Sequence, residues 1–209
     1  MAVQLRFSGG QYNTTALGSL GGQRSDTSVT SDVIQNLFDN ISRQEALLGR
    51  TEYRCIYVYN TGGSYVSGVT VEISTNPTVT MMSVGLDPNG KGDGRTSGVA
   101  NSIATEDTTP TGVKFFGEDN PDDGAYDTVV LPIGLLKAGE GVPFWLKRVT
   151  EQASAQTISL TVKIIHDAVT LPGETFDEGG AIGELIKVTE QATGTYKIGT
   201  AKIGFSDIG

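Results

Sequence analysis

Glu52-Tyr53-Arg54-Cys55-Ile56-Tyr57-Val58-Tyr59-Asn60 is the stretch whose reading decides the fold class. A two-residue period places Tyr53, Cys55, Tyr57 and Tyr59 on one face, with Arg54, Ile56 and Val58 on the other. The pattern is that of a strand. Thr61-Gly62-Gly63-Ser64 follows as a turn, and Val69, Val71 and Ile73 then alternate with Thr70, Glu72 and Ser74. Strand, Gly-rich turn and strand predict a β-hairpin. Further strands are predicted over 78–86, 113–116, 128–136, 142–149 and 157–167, with turn-rich loops over 87–97 and 117–127. Short strands with such punctuation point to a mainly β chain whose body is a β-sandwich, jelly-roll-like. The composition agrees: 28 of 209 residues are Gly and only 37% are hydrophobic.

Working outward, residues 31–49 carry the best helical signal. Val33, Ile34, Leu37 and Phe38 have helical spacing, Ser42-Arg43-Gln44-Glu45 matches a capping box, and Gly49 would stop a short helix through Ala46-Leu47-Leu48. Residues 1–30 are dominated by Gly, Ser, Thr and Asn, a composition expected of an extended arm that is disordered alone and ordered on a neighbour. Residues 168–209 are again Gly-rich, with strand-like pieces at 184–190, Tyr196-Lys197-Ile198-Gly199 and Lys202-Ile203-Gly204-Phe205. The expected organisation is an N-terminal arm (1–30), a β-sandwich body with a short leading helix (31–167), and a C-terminal β-hairpin or arm (168–209).

The net charge is −9. Residues 1–50 carry 4 basic and 4 acidic side chains, 51–167 carry 8 and 14, and 168–209 carry 3 and 6. Lys147-Arg148 is the largest basic cluster, so phosphate backbones and anionic membranes are disfavoured as partners. A basic protein partner suits this charge. No stretch approaches the ~18 apolar residues of a membrane helix. Residues 1–7 lack the charged and apolar regions of a signal peptide, so assembly in a reducing cytoplasm is the expectation. A single cysteine precludes an intrachain disulfide.

Few residues offer chemistry. His166 is the only histidine and ends the run Thr161-Val162-Lys163-Ile164-Ile165, with no nucleophile-elbow motif beside it. Cys55 reads as a small buried strand residue, because Arg54, its one cationic neighbour, points to the other face. One Cys and one His cannot build the usual zinc site. Asp87-Pro88-Asn89-Gly90-Lys91-Gly92-Asp93-Gly94 superficially resembles a calcium loop, but Lys91 takes a ligand position and Gly98 stands where a bidentate Glu belongs. The second acidic loop, 118–127, has oxygens without ordered spacing. Both read as solvated hairpin tips. No catalytic, metal-binding or cofactor-binding residue is assigned, and a non-enzymatic role is expected. Trp145 with Tyr53, Tyr57 and Tyr59 could form a carbohydrate-stacking face, although core or interface packing is the plainer reading.

Tyr53-Arg54-Cys55-Ile56-Tyr57-Val58-Tyr59-Asn60-Thr61 after Leu37-Phe38-Asp39 and Leu48-Gly49 resembles a group of tailed-bacteriophage virion proteins. In these a short helix leads into a YRCIYVxNT strand. The resemblance continues through Val69-Thr70-Val71-Glu72-Ile73-Ser74, Ser83-Val84-Gly85-Leu86-Asp87, Thr109-Pro110-Thr111-Gly112-Val113-Lys114-Phe115, Ala138-Gly139-Glu140-Gly141 and Phe144-Trp145-Leu146-Lys147-Arg148. It covers roughly residues 33–167 and carries no catalytic residues. It implies a structural role in the virion, with the major capsid protein or other virion subunits as partners. A capsid decoration (cement) protein is the leading expectation, as a homo-oligomer with a trimer favoured. A neck or tail component, or a carbohydrate-binding module of a fibre, is the alternative.

Overall fold

The computed structural model describes residues 3–30, 36–39, 45, 48–75, 80–117, 129–150, 157–168 and 185–191. Among the described residues eight strands run in chain order: β1 Val3–Phe7, β2 Arg50–Asn60, β3 Val66–Thr75, β4 Thr80–Leu86, β5 Val129–Leu136, β6 Gly141–Thr150, β7 Thr157–Ala168 and β8 Leu185–Gln191. They form two four-stranded antiparallel sheets, β1-β2-β6-β4 and β5-β3-β7-β8. The mainly β, two-sheet body expected from the alternation is present.

Strand parity builds the core. Ile56 and Val58 of β2, Phe144 and Leu146 of β6, and Met82 and Val84 of β4 meet Val69, Val71, Ile73, Leu131, Val162 and Ile164 of the other sheet in one buried cluster. Each such side chain contributes about 1.5–3 kcal/mol by leaving water. The opposite face of the first sheet carries Tyr53, Cys55, Tyr57 and Trp145 in a second buried cluster. The first sheet is therefore covered on both faces, which explains why residues 52–60 are bulky at nearly every position.

The structure departs from the expectations at several places. β2 and β3 are not a hairpin: β2 pairs with β1 and β6, whereas β3 pairs with β5 and β7. The link between them crosses from one sheet to the other, and Asn60 holds the crossing. Its Nδ2 donates to the carbonyls of Ser64 (2.8 Å), Lys137 (3.1 Å) and Leu136 (3.2 Å), while its Oδ1 accepts from Gly62 N at 2.9 Å. Residues 113–116 are not a strand. Phe116 alone pairs with Val84, through N–H···O bonds of 2.8 and 3.0 Å, and seals part of the outer edge of β4.

Residues 3–30 are not a free arm. β1 adds to β2 and buries Val3, Leu5 and Phe7. The chain then returns along the far side of β1, where Val29 N donates to Leu5 O (2.9 Å) and Ser25 N to Phe7 O (2.8 Å). The helix expected over 31–49 lies mostly outside the described residues. Residues 36–39 form a bend that buries Leu37 and Phe38. Of residues 168–209, Ala168 ends β7 and 185–191 are β8, a further strand of the second sheet beside β7. The pieces at 196–199 and 202–205 lie outside the described residues.

Candidate functional site

The outer face of the first sheet is roofed by two loops, 8–24 and 87–116, and the joints between roof and sheet are polar. Ser8 Oγ donates to Cys55 O at 2.8 Å and accepts from Gly21 N at 3.1 Å. Cys55 N donates to Ser19 O (2.8 Å) and Tyr53 N to Glu106 O (2.7 Å), so loop carbonyls continue the hydrogen bonding of β2 where β1 ends. Tyr57 Oη donates to Gly22 O (2.7 Å) and accepts from Ala100 N (2.9 Å), which ties both loops to one phenol. Gly21 sits at φ +89°, and a Cβ there would stand 1.8 Å from Asn101 O. The two loops can approach only because that side chain is missing.

This roof settles where the expected site residues lie. Trp145 is fully buried, and its Nε1 donates to Asp87 Oδ2 at 2.9 Å. Tyr53 and Tyr57 are buried beside it. The guanidinium of Arg24 covers the Tyr59 ring at 3.7 Å from its centroid. Tyr53, Tyr57 and Trp145 form a core under the loops, so three of the four aromatic groups in the carbohydrate reading present no face on which a sugar could stack.

Cys55 is buried in the same layer, and burial, with a smaller contribution from Asp87, pushes its thiol well above the usual range. His166 lies on β7 in the second sheet, with the parity of the core residues Val162 and Ile164, and is 7% exposed. The first sheet separates Cys55 from His166, so the structure does not bring them together.

In the loop read against a calcium site, Asp87 is 2% exposed. Besides Trp145, its carboxylate accepts from Asn89 N (3.0 Å) and Asn101 N (3.1 Å). Asp93 accepts from the N–H groups of Arg95 (2.8 Å), Thr96 (2.8 Å) and Ser97 (3.0 Å) and from the Thr96 hydroxyl (2.7 Å). These bonds, the Ser97 N–H foremost, hold its carboxyl well below the usual carboxylate range. Both carboxylates are thus occupied in shaping the loop, as Asp does in turns. The second acidic loop, 118–127, lies outside the described residues.

A feature the sequence reading did not single out is a buried ionic group at the end of the sandwich near Arg50 and Thr150. Glu52, Arg54 and Arg148 occupy inward positions of β2 and β6 and are each at most 1% exposed. Arg148 Nε donates to Glu52 Oε2 at 2.7 Å, and Arg148 Nη1 donates to Asp39 O at 3.0 Å. Glu106 pairs with both Arg50 and Arg54. Phe38 lies under both guanidinium groups, with Arg148 at 4.6 Å and Arg54 at 5.4 Å from its ring centroid.

Carboxylate oxygens of Asp39, Glu52 and Glu106 come within 4.8 Å of one another. Guanidinium groups of Arg54 and Arg148 stand among them and repel a cation, so the donor set fits ion pairing and not a metal. The sequence signal for this group was charge at inward parity: Glu52 and Arg54 share the face of Ile56 and Val58.

Large apolar side chains do reach solvent elsewhere. Tyr12 is 86% and Leu17 57% exposed, both on loop 8–24. The loop that carries them is braced by Asn13, whose Nδ2 donates to Thr15 O (2.8 Å) and whose Oδ1 accepts from Thr15 N (3.1 Å), and by the Ser19 N to Ala16 O bond of 2.8 Å. Leu86, Phe116 and Val130 are exposed at the seam between β4 and β5.

No family model and no curated protein matches the chain. One solved structure with some likeness is described as "AvmM Catalyzes Macrocyclization in Alchivemycin A Biosynthesis". It shares 9% identity, with 69% of this chain and 81% of that chain covered, at a TM-score of 0.37. A superposition that loose carries no argument about this protein. What the geometry defines is a two-sheet β-sandwich with a polar-jointed loop roof and apolar side chains on its rim.

Proposed function

We propose that this protein is a structural subunit of a tailed-phage particle, a decoration protein that clamps neighbouring major-capsid subunits. The observation that carries the reading is the pair Tyr12 and Leu17, 86% and 57% exposed on a loop braced by its own hydrogen bonds. Apolar side chains held ready on a stiff loop lose little freedom on docking, so the burial they offer is available for affinity. An aromatic residue with a polar tip suits an interface that is wet before assembly and dry after it.

The resemblance of residues 33–167 to virion proteins supplies the setting, and the net charge of −9 suits a basic partner surface. A subunit that binds the assembled lattice and not its free components stabilises the lattice by mass action. The test is copy number, measured by quantitative mass spectrometry of purified particles. Hundreds of copies support decoration, about six or twelve place the protein at the neck or tail, and absence from the particle overturns the reading.

A further inference from the structure

The roof is locally basic in an acidic chain. Residues 3–30 and 87–104 hold four basic side chains (Arg6, Arg24, Lys91 and Arg95) against three acidic ones, whereas the rest of the chain holds 11 against 21. Two of those three acidic groups, Asp87 and Asp93, are engaged by donors of the roof and of Trp145. Lys91 Nζ donates to Leu135 O at 2.6 Å. Arg6, Arg24 and Arg95 are left around one carboxylate, that of Asp26.

Asp26 does not satisfy the three. Its Oδ1 pairs with Arg95 and stands 3.8 Å from Arg24 Nη1, while its Oδ2 accepts from Gln11 Nε2 at 3.0 Å. Arg6 lies opposite Tyr57 and Gln4 opposite Tyr59, whose ring Arg24 covers, so Arg6 and Arg24 share the outer face of the first sheet. Burial foremost, with the charges of Arg95 and Arg6 adding to it, lowers the pKa of Arg24 from its ordinary value. Arg24 is 5% exposed and is fixed by its Nε to Asp93 O (3.1 Å) and its Nη1 to Ser25 O (3.0 Å). Arg6 Nε and Arg95 Nε are buried with no hydrogen-bond partner. Arg6 Nη1, Arg24 Nη2 and Arg95 Nη1 donate to nothing among the described residues.

We propose that Arg6, Arg24 and Arg95 form a seat for a carboxylate of the protein partner on which the roof docks. The inference rests on the docking role given to Tyr12 and Leu17 and names the chemistry that meets them. Tyr12 follows Gln11, which is bonded twice to Asp26: Asp26 N donates to Gln11 O at 3.0 Å, and Gln11 Nε2 returns a bond to the carboxylate. The aromatic anchor and the guanidinium groups are therefore neighbours, and Tyr with Arg is the pairing that dominates protein interfaces. A guanidinium fork matches a carboxylate with two parallel bonds, and unused donors on a partly fixed arginine are already oriented for it. A second carboxylate beside Asp26 still leaves the positive groups in the majority. The acidic chain as a whole steers toward a basic surface, whereas the seat itself takes an acidic side chain within that surface.

Nitrogen-15 NMR of the full chain tests the seat, with the blocked peptide acetyl-Leu-Glu-Leu-amide as probe and acetyl-Leu-Gln-Leu-amide as its neutral control. The Nε–Hε signals of Arg6, Arg24 and Arg95 are expected to shift saturably with the Glu peptide, at concentrations at least about fivefold below any response to the Gln peptide. In Arg6→Gln/Arg95→Gln the Arg24 signal should no longer respond. Equal responses to the two peptides, no response, or a response confined to arginines elsewhere would overturn the proposal.

Binding to particles assembled without the protein separates this from the docking reading. Arg6→Gln/Arg95→Gln, shown to melt with the wild type, should bind at least about tenfold more weakly. If that variant binds as the wild type does while Tyr12→Asp/Leu17→Asp does not, the roof docks and the seat is overturned. If the wild type ignores the particles while the Glu peptide still shifts the three signals, the seat stands and the virion reading falls.

Discussion

Removing one partner of the Glu52–Arg148 pair is the sharpest perturbation of the fold. Both residues are 1% exposed. Arg148 makes its bonds to Glu52 and Asp39 inside the sandwich, while Arg50 Nε lies 3.3 Å from the other Glu52 oxygen. In Arg148→Met the Glu52 carboxylate keeps only Arg50. In Glu52→Leu the Arg148 guanidinium loses its buried carboxylate partner, while the Asp39 carboxylate 3.6 Å away is 43% exposed. Breaking a buried pair costs about 3–5 kcal/mol, because the remaining charge is stranded. At 2–4 °C per kcal/mol for a chain of this size, each single variant should melt about 6–20 °C below wild type.

The double variant Glu52→Leu/Arg148→Met strands neither charge and replaces both with apolar groups. It should recover to within about 1.5 kcal/mol of wild type. A double-mutant cycle by urea unfolding measures the coupling, expected to exceed about 2 kcal/mol. Single variants costing under about 1 kcal/mol with no coupling would show that water screens the pair, and the account of this end of the sandwich would be wrong.

Asp87→Ala removes the acceptor shared by Trp145 Nε1, Asn89 N and Asn101 N; with at least two donors stranded it should cost about 3–5 kcal/mol in urea unfolding. A loss under 1 kcal/mol would mean that water replaces the carboxylate. Asp93 has its pKa depressed by the turn N–H groups, so its stabilisation is complete above the unfolded value of about 4 and is lost as pH falls through the lower folded value. Wild type should therefore lose stability below pH ~4 more steeply than Asp93→Asn, and parallel pH curves would contradict this. Deleting residues 1–30 removes β1 and half of the roof, so the truncated chain should lose cooperative melting; an unchanged melting curve would restore the arm reading.

The strand parity of residues 52–60 was legible because bulky side chains alternate there, and most strand positions followed from the same rule. The hairpin between β2 and β3 was misread because a Gly-rich turn looks alike whether the chain returns in one sheet or crosses to the other. Asn60 marks the crossing, but two of its three donor contacts, to Leu136 O and Lys137 O, form with residues 76 and 77 positions away. Residues 1–30 were misread for a related reason. Gly, Ser, Thr and Asn are the composition of an unfolded arm and equally of a loop layer joined by side-chain hydrogen bonds. Ser8, Ser19 and Ser25 are fully buried in that layer, which composition cannot reveal. The ionic group at Glu52, Arg54 and Arg148 was readable in parity, but its carboxylate partners Asp39 and Glu106 come from distant loops.

The claim that the protein works by docking its roof loop on other subunits is tested most directly by co-sedimentation with particles assembled without it. Wild type is compared with Tyr12→Asp/Leu17→Asp after both are shown to melt at the same temperature. The account predicts that wild type saturates the particles at a fixed ratio and that the variant binds at least about tenfold more weakly, since losing two buried apolar anchors removes more than 1.4 kcal/mol. Wild type that fails to sediment with the particles, or a variant that decorates them equally, would contradict it.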